Sequence, residues 1–315
     1  MTSRKRYRLQ LPTRTLELGR RTLVMGVLNV TPDSFSDGGR YVDPRAAIAR
    51  ALEMEAAGAD ILDIGGESTR PGAVPVGAEE ELQRVLPVLE GLRGRLGIPI
   101  SLDTQKVAVA EAGIAAGAEI INDVSALRSD PALGEVVRRH RVALVLMHMR
   151  GTPGTMQQGP FARDVMRDVT GGLREAIERA RRPNLDRASR ARLDRAGRAN
   201  LDRAGRVGID RGRLLIDPGI GFGKSFEQNC ELLRRLPELA RLGYPLVIGT
   251  SRKAFVGWLL GGRKKDLQSV PADKRLWGTA ATVAASVLGG AHIVRVHDVA
   301  EMAQVVRVVD ALAAG

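Results

Sequence analysis

Eight short apolar runs in this 315-residue chain end in, or lead straight into, side chains capable of chemistry. Asn29 closes the first run, and Gly65, Gly66, Glu67, Ser68, Thr69 and Arg70 follow the second. Asp103 ends the third, Asn122 and Asp123 the fourth, and Met147 and His148 the fifth. Asp217 ends the sixth, Ser251, Arg252 and Lys253 follow the seventh, and Arg295 and His297 end the eighth. One polar residue at a strand end is ordinary turn chemistry. Polar residues at all eight, mixing carboxylates, amides and cations, point to a shared site.

Arg70, Lys253, Arg295 and His297 form a cationic group suited to phosphate oxygens. Asp103, Asn122 and Asp217 accept or bridge hydrogen bonds, as a flat, amino-substituted nitrogen heterocycle requires. The two groups are expected to form opposite arcs of one mouth, one holding a planar ring and the other a phosphate or diphosphate joined to it. Asn29 offers a hard oxygen to Mg²⁺, which takes few protein ligands and fills its shell with water and substrate phosphates. Plainer readings stand beside these. Asp217 precedes Pro218 and could simply start a turn, and Asp123 reads as the structural member of its pair. His148 and His140 read as packed or solvated. Asp63 and Glu67 could belong to polar layers inside the barrel, and Asp298 could cap the last helix.

The elements that must position these residues alternate. Candidate strands span residues 22–30, 59–66, 99–104, 119–125, 143–149, 214–219, 245–250 and 293–298. Amphipathic segments at 44–57, 78–96, 105–116, 130–139, 226–241 and 277–288 lie between them. Near-continuous apolar strands alternating with helices imply a parallel sheet covered on both faces. Eight such units imply an α/β (β/α)8 barrel, whose functional residues gather at the C-terminal strand ends. Residues 6–18 alternate polar and apolar and read as a hairpin closing the barrel bottom. The expected organisation is a single barrel domain over residues 1–315, interrupted by an insertion at 183–213.

Composition sets the limits. Hydrophobic residues make up 44% of the chain, enough for a large core, while aromatics at 3% argue against a nucleic-acid binder built on stacking. Cys230 stands alone, which excludes an internal disulfide and a cysteine-rich zinc site. No apolar stretch approaches the ~20 residues of a membrane span, and the basic N-terminus has no apolar run behind it. A cytoplasmic protein with no membrane partner is expected. The net charge of +12 would suggest nucleic acid, but residues 181–213 hold eleven Arg against four Asp, a local +7. There Leu-Asp-Arg-Ala starts at Leu185, Leu193 and Leu201, a period of eight. That period drifts around a 3.6-residue helix and makes no straight apolar stripe. The insertion reads as a tolerated repeat in a surface connection, with a nucleic-acid-contacting role as the rival.

Two near-motifs fail. The segment Gly219-Ile220-Gly221-Phe222-Gly223-Lys224-Ser225 has the composition of a phosphate loop, but Pro218 stands where the first glycine belongs. Lys224 likewise stands where a dinucleotide fingerprint needs its third glycine.

The motifs taken together resemble the dihydropteroate synthase family. Met25-Gly26-Val27-Leu28-Asn29-Val30-Thr31-Pro32-Asp33-Ser34-Phe35-Ser36-Asp37-Gly38-Gly39 is similar to the first pterin-binding motif of that family, and Asp63-Ile64-Gly65-Gly66-Glu67-Ser68-Thr69-Arg70-Pro71-Gly72 to the second. Ser101-Leu102-Asp103-Thr104, Ile121-Asn122-Asp123-Val124, Leu146-Met147-His148-Met149, Asp217-Pro218-Gly219, Ser251-Arg252-Lys253 and Arg295-Val296-His297-Asp298 continue the pattern in order. The resemblance covers nearly the whole chain outside the arginine repeat. It implies condensation of 6-hydroxymethyl-7,8-dihydropterin diphosphate with 4-aminobenzoate in folate biosynthesis, with Mg²⁺ as cofactor and a homodimer as assembly. Carried over, Asp103, Asn122, Asp217 and Lys253 would hold the pterin, with Met147 also at the substrate. Thr69, Arg70, Arg295 and His297 would hold the diphosphate, and Asn29 its Mg²⁺. Phe35, Pro71, Phe222 and Ser251 would shape the aminobenzoate pocket, and Lys253, Arg295 and His297 would be catalytic. The glycine- and serine-rich loops after the first two strands would close over the diphosphate. Rival readings are a pterin-binding methyltransferase on the same barrel and a catalytically silent paralogue.

Overall fold

The computed structural model describes residues 4–31, 43–70, 72–182, 208–262 and 270–313. Phe35, Pro71, most of the loop after the first barrel strand and residues 183–207 of the arginine repeat lie outside them.

A hairpin of β1 (Tyr7–Gln10) and β2 (Thr15–Leu18) opens the chain. The barrel strands follow: β3 (Leu23–Asn29), β4 (Ile61–Gly65), β5 (Ile100–Asp103), β6 (Ala118–Asp123), β7 (Ala143–Met147), β8 (Leu214–Asp217), β9 (Val247–Ile248) and β10 (Ile293–Val296). Their order is β8-β7-β6-β5-β4-β3-β10-β9, with every pair parallel. A parallel bridge between Ile216 and Leu246 links the two outermost strands, so the sheet is a nearly closed barrel. The helices are α1 (Pro44–Ala56), α2 (Ala78–Leu92), α3 (Val107–Ala115), α4 (Leu133–His140), α5 (Val165–Arg181), α6 (Phe226–Arg234), α7 (Leu236–Leu239), α8 (Ala254–Leu260), α9 (Leu276–Leu288) and α10 (Val299–Ala313).

Side-chain alternation along each strand sorts the barrel into an inside and an outside. Outward residues such as Leu62, Ile64, Leu102, Ile121, Leu144, Leu146, Leu214, Ile216 and Val294 pack against the helices in one large cluster. Inward residues Met25, Ile61, Ile120, Ala143, Val145, Leu215, Val247 and Ile293 form a second cluster, joined by Leu9, Leu11 and Leu18 of the hairpin. The hairpin therefore plugs the N-terminal end with leucines. Above this apolar floor the inward positions turn polar: Asp63, Ser101, Asp103, Asn122 and Asp217, all buried, with Arg295 beside them. The same alternation points Asp123 outward, where its carboxylate accepts the Ser125 and Leu127 N–H groups and shapes the turn.

Helix ends follow local chemistry. Asp43 caps α1 ahead of Pro44, and Ser225 forms a capping box with Gln228 at the start of α6. The single helix expected over 226–241 is broken at Arg235 into α6 and α7, because Pro237 has no N–H to donate to the carbonyl four residues back and its ring crowds that turn, so it sits in the first turn of a new helix. Helix α5 was not singled out from the sequence. Its buried face is regular (Val165, Val169, Leu173, Ala176, Ala180), but Gly171 and Gly172 interrupt the pattern. Gly172 has a packing reason: a Cβ there would stand 2.5 Å from the His148 ring.

The arginine repeat leaves and re-enters the barrel at one point, since Ile209 N donates to Ala180 O at 2.8 Å. A short bridge can therefore replace residues 184–206. We expect that variant to keep turnover within about threefold of the parent, since shortening a connection whose ends already meet changes closure entropy only weakly. Steady-state assays and a thermal melt check this.

Candidate active site

Strand register places the polar residues in one layer. Asn29 pairs with Gly65, Gly65 with Asp103, and Asp103 with Asn122 across β3 to β6. On the far wall Met147 pairs with Asp217. Asn29 is half-buried. A Cβ on Gly65 would lie 3.9 Å from Asn29 Oδ1 and 3.4 Å from the Asp103 Cβ, ordinary contact distances, so the amide and the carboxylate both border this position.

The centre of the mouth is an ion-paired network. Arg295 Nε donates to Asp63 Oδ2 at 2.6 Å, and its Nη2 donates to Asp103 Oδ2 at 2.8 Å. Asn122 Nδ2 donates to the same Asp63 oxygen at 3.2 Å. Burial, with Asp63 next to it, pushes Asp103 above the usual carboxylate range despite Arg295. Burial likewise raises Asp217, whose Oδ1 accepts the Gly219 N–H at 2.6 Å. The Asp63 and Asp103 carboxylates keep Arg295 fully charged. Lys253 donates to the Ile220 carbonyl and sits 4.2 Å above the Phe222 ring centroid. Burial lowers its pKa to about 7, opposed by the attraction of Asp217.

The expectation of two opposite arcs is corrected by this geometry. Arg295 lies between two carboxylates, and Lys253 lies within reach of Asp217, so cations and acceptors are interleaved. A guanidinium at the barrel axis is held by paired anions because an unpaired buried charge is far costlier. His297 also differs from the cation expected. Burial and the neighbouring Arg295 depress its pKa to about 3, so it is neutral at physiological pH. The Ser251 hydroxyl accepts the His297 backbone N–H at 3.2 Å and lies 3.0 Å from Nδ1. A hydroxyl donating to Nδ1 satisfies both groups and leaves the proton on Nε2, a neutral donor.

The remaining expected residues are placed as follows. Arg70 is exposed on the loop after β4, near enough to contribute to lowering the His297 pKa. Thr69 is half-buried on the same loop. Met147 packs with Val124, Met149 and Met156, and Phe222 leans on that cluster. Phe35 and Pro71 fall outside the described residues. His148 is packed, as expected, with a pKa driven down to about 2 by burial. Asp63 does belong to the inner polar layer. Glu67 does not: it sits on the loop, where its Oε1 accepts the Val76 N–H at 3.0 Å and its Oε2 pairs with Lys106 at 2.8 Å. Lys106 also pairs with the buried Glu81 of α2. Asp298 pairs with Arg252, a non-glycine residue at φ 59°, which ties the loop after β9 to the end of β10. These two latches were missed from the sequence, because each joins residues from different loops with no spacing signal.

Gly219 makes the tightest backbone approach here. Its φ is +66°, and a Cβ would stand 1.9 Å from His148 O. Gly219→Ala is expected to cost more than about 2 kcal/mol from left-handed strain and collision together, as urea denaturation would measure.

The model of the pterin binding enzyme family matches residues 25–189 and 187–297. The dihydropteroate synthase of Synechocystis sp. is 44% identical over 93% of this chain and 91% of its own length. The chain belongs to the dihydropteroate synthase family. Among solved structures, the Xanthomonas albilineans synthase with 4-aminobenzoic acid superposes with a TM-score of 0.81 at 42% identity, covering 99% of this chain and 100% of that one. The same organism's synthase in complex with 7,8-dihydropteroate gives 0.77 at 40% identity, covering 98% and 99%. Like those synthases, this family member is an (β/α)8 enzyme that transfers a pterinylmethyl group. No helix among the described residues is long and apolar enough to cross a membrane.

Proposed function

We propose that this synthase condenses 6-hydroxymethyl-7,8-dihydropterin diphosphate with 4-aminobenzoate, releasing 7,8-dihydropteroate and diphosphate. The observation that carries the reading is the Asp63–Arg295–Asp103 network with Asn122, Asp217 and Lys253 around one mouth. Similarity to synthases over nine-tenths of the chain favours it over a methyltransferase on the same barrel or a silent paralogue.

In this reading the pterin lies against Asp103, Asn122 and Asp217, which accept its ring N–H groups and donate to its carbonyl. Arg295 spends two of its five donors on Asp63 and Asp103, which orients the others toward the ligand. Arg70 and the Nε2–H of His297 face the departing diphosphate. Asn29 is the residue that would hold Mg²⁺. Among the described residues no cluster of three His, Cys, Asp or Glu side chains is arranged to bind a metal. A single amide oxygen therefore suits an ion carried mainly by diphosphate and water. Bound there, magnesium would screen charge growing on the leaving group. The aromatic amine of 4-aminobenzoate is neutral and attacks the pterin methylene as the C–O bond breaks and diphosphate leaves; the new N–C bond makes the nitrogen cationic and strongly acidic, and its proton passes to diphosphate or water, so no strong base is needed. Phe222, Ser251 and Lys253 line its approach. Charge developing on the diphosphate meets preorganised donors, the largest single contribution in such transfers.

Incubation with both substrates and measurement of diphosphate release tests the proposal; release dependent on 4-aminobenzoate supports it. The pH profile is a further check. Burial holds the Lys253 pKa at about 7 in the free enzyme, so its charge is lost progressively as pH rises past that value. We expect kcat/KM for the pterin diphosphate to fall as pH rises through that value, approaching about tenfold per unit well above it. Lys253→Arg, which stays charged, should lose that falling limb even at reduced rate. The exposed apolar residues Trp277, Leu288, Val308 and Leu312 on α9 and α10 support the family's homodimer. A cytoplasmic location and no nucleic-acid partner complete the reading.

A further inference from the structure

The phosphate-loop-like segment Gly219 to Ser225 contains a lysine to which the proposed reaction assigns nothing. Lys224 is 2% exposed and is among the largest fully buried side chains of the chain. Its Nζ donates to three backbone carbonyls: Phe222 O at 2.8 Å, Gly219 O at 2.9 Å and His148 O at 3.2 Å. An ammonium has three N–H donors, and each one here meets an oxygen. Two of those oxygens belong to the loop after β8, and the third to the end of β7. Burial costs this cation enough to lower its pKa to about 7. A methionine of similar length would fill the space without that cost, so the charge has to be explained by what it orders.

What it orders is the wall of the site. The Gly219, Gly221 and Gly223 backbones all have positive φ, which turns successive carbonyls to opposite sides of the loop. Gly219 O and Phe222 O turn to Lys224, while Ile220 O turns to Lys253. A Cβ on Gly221 would stand 2.7 Å from Lys253 Cδ, so the loop and that side chain are in close contact. The same Lys253 lies over the Phe222 ring. Two lysines thus grip one five-residue loop from its two sides, one from the core and one from the mouth.

We infer that Lys224 is a positioning residue: by holding the Gly219 and Phe222 carbonyls, it fixes the Phe222 ring and the carbonyl that seats Lys253, and so shapes the 4-aminobenzoate side of the site. The inference rests on the proposed reading for its kinetic consequence, but its structural part can be measured without turnover. In Lys224→Met, backbone amide exchange over residues 219–223 should speed up at least about tenfold, with the barrel strands unchanged. KM for 4-aminobenzoate should rise at least about tenfold. In a Phe222→Ala background the same change should raise that KM by clearly less than about tenfold, because the ring it positions is gone and only the seat of Lys253 is left to disturb. Lys224→Gln, which keeps two donors, should fall between Met and the parent and serves if the methionine variant does not fold. Unchanged loop exchange overturns the inference whatever the activity. Faster exchange with unchanged KM, or losses that simply add to those of Phe222→Ala, also overturns it. Absence of turnover in the parent would instead strike the proposed reaction, with loop exchange still deciding the role of Lys224.

Discussion

Arg295→Met is expected to lower kcat/KM by about 10³ and to destabilise the fold by about 3 kcal/mol. The guanidinium is the hub of the inner polar layer, bonded to Asp63 at 2.6 Å and to Asp103 at 2.8 Å, with only 19% of its side chain exposed. Removing it leaves two carboxylates facing each other in a buried space. Asp103, already raised above the normal range, would take up a proton rather than remain an unpaired anion. That protonation holds the stability cost near the lower end for a broken buried pair. It does nothing for catalysis, because a neutral Asp103 no longer accepts the same hydrogen bonds, and the donors aimed at the ligand are gone. Chemical denaturation and steady-state kinetics measure the two effects. In an Asp63→Asn background the stability cost of Arg295→Met should shrink, because one of the stranded charges is absent. A loss below about tenfold in kcat/KM would show that the network is scaffolding alone.

Lys253→Ala is expected to cost at least about 100-fold in kcat/KM while changing stability little. Its ammonium is seated on the Ile220 carbonyl and the Phe222 ring, close to Asp217. Burial penalises this charge, so its removal relieves the fold of a desolvated cation even as a carbonyl loses its donor. Loss of activity without loss of stability distinguishes a group that meets substrate from one that holds the barrel together. A variant that lost both in proportion would place Lys253 with the scaffold. The contrast with Arg295, where both should fall, follows from partners: Arg295 hydrogen-bonds two carboxylates, whereas Lys253 hydrogen-bonds a neutral carbonyl and meets Asp217 through space only, and Asp217 keeps the Gly219 N–H when Lys253 is gone.

Much of the architecture was legible in the chain. Strands buried on both faces must be largely apolar, so β3 to β10 stood out as Val-, Ile- and Leu-rich runs, and the polar residues at or just after their C-terminal ends marked the mouth. The helices were less clear where glycine or proline broke the period, as Gly171 and Gly172 do in α5 and Pro237 does in the first turn of α7. The family motifs named most of the residues that the structure brings to the mouth. They contained Glu67, Arg252 and Asp298 but not the pairings Glu67–Lys106–Glu81 and Arg252–Asp298, which join different loops, and they were silent on Lys224, which ties its own loop to His148.

The order of residues along the chain determines which side chains stand at each strand end and, by alternation, which of them face inward, because that periodicity is a property of the extended backbone. It does not determine who pairs with whom across the mouth. Arg295 and Asp63 are 232 residues apart, and only closure of the barrel brings β10 beside β3 and sets the guanidinium between two acids. Nor does it determine charge. A histidine in sequence is a potential cation, and His297 is neutral because the finished fold buries it next to Arg295. Desolvation and proximity depend on the packed whole, which is why the tertiary structure alone decided that acids and bases interleave around this site.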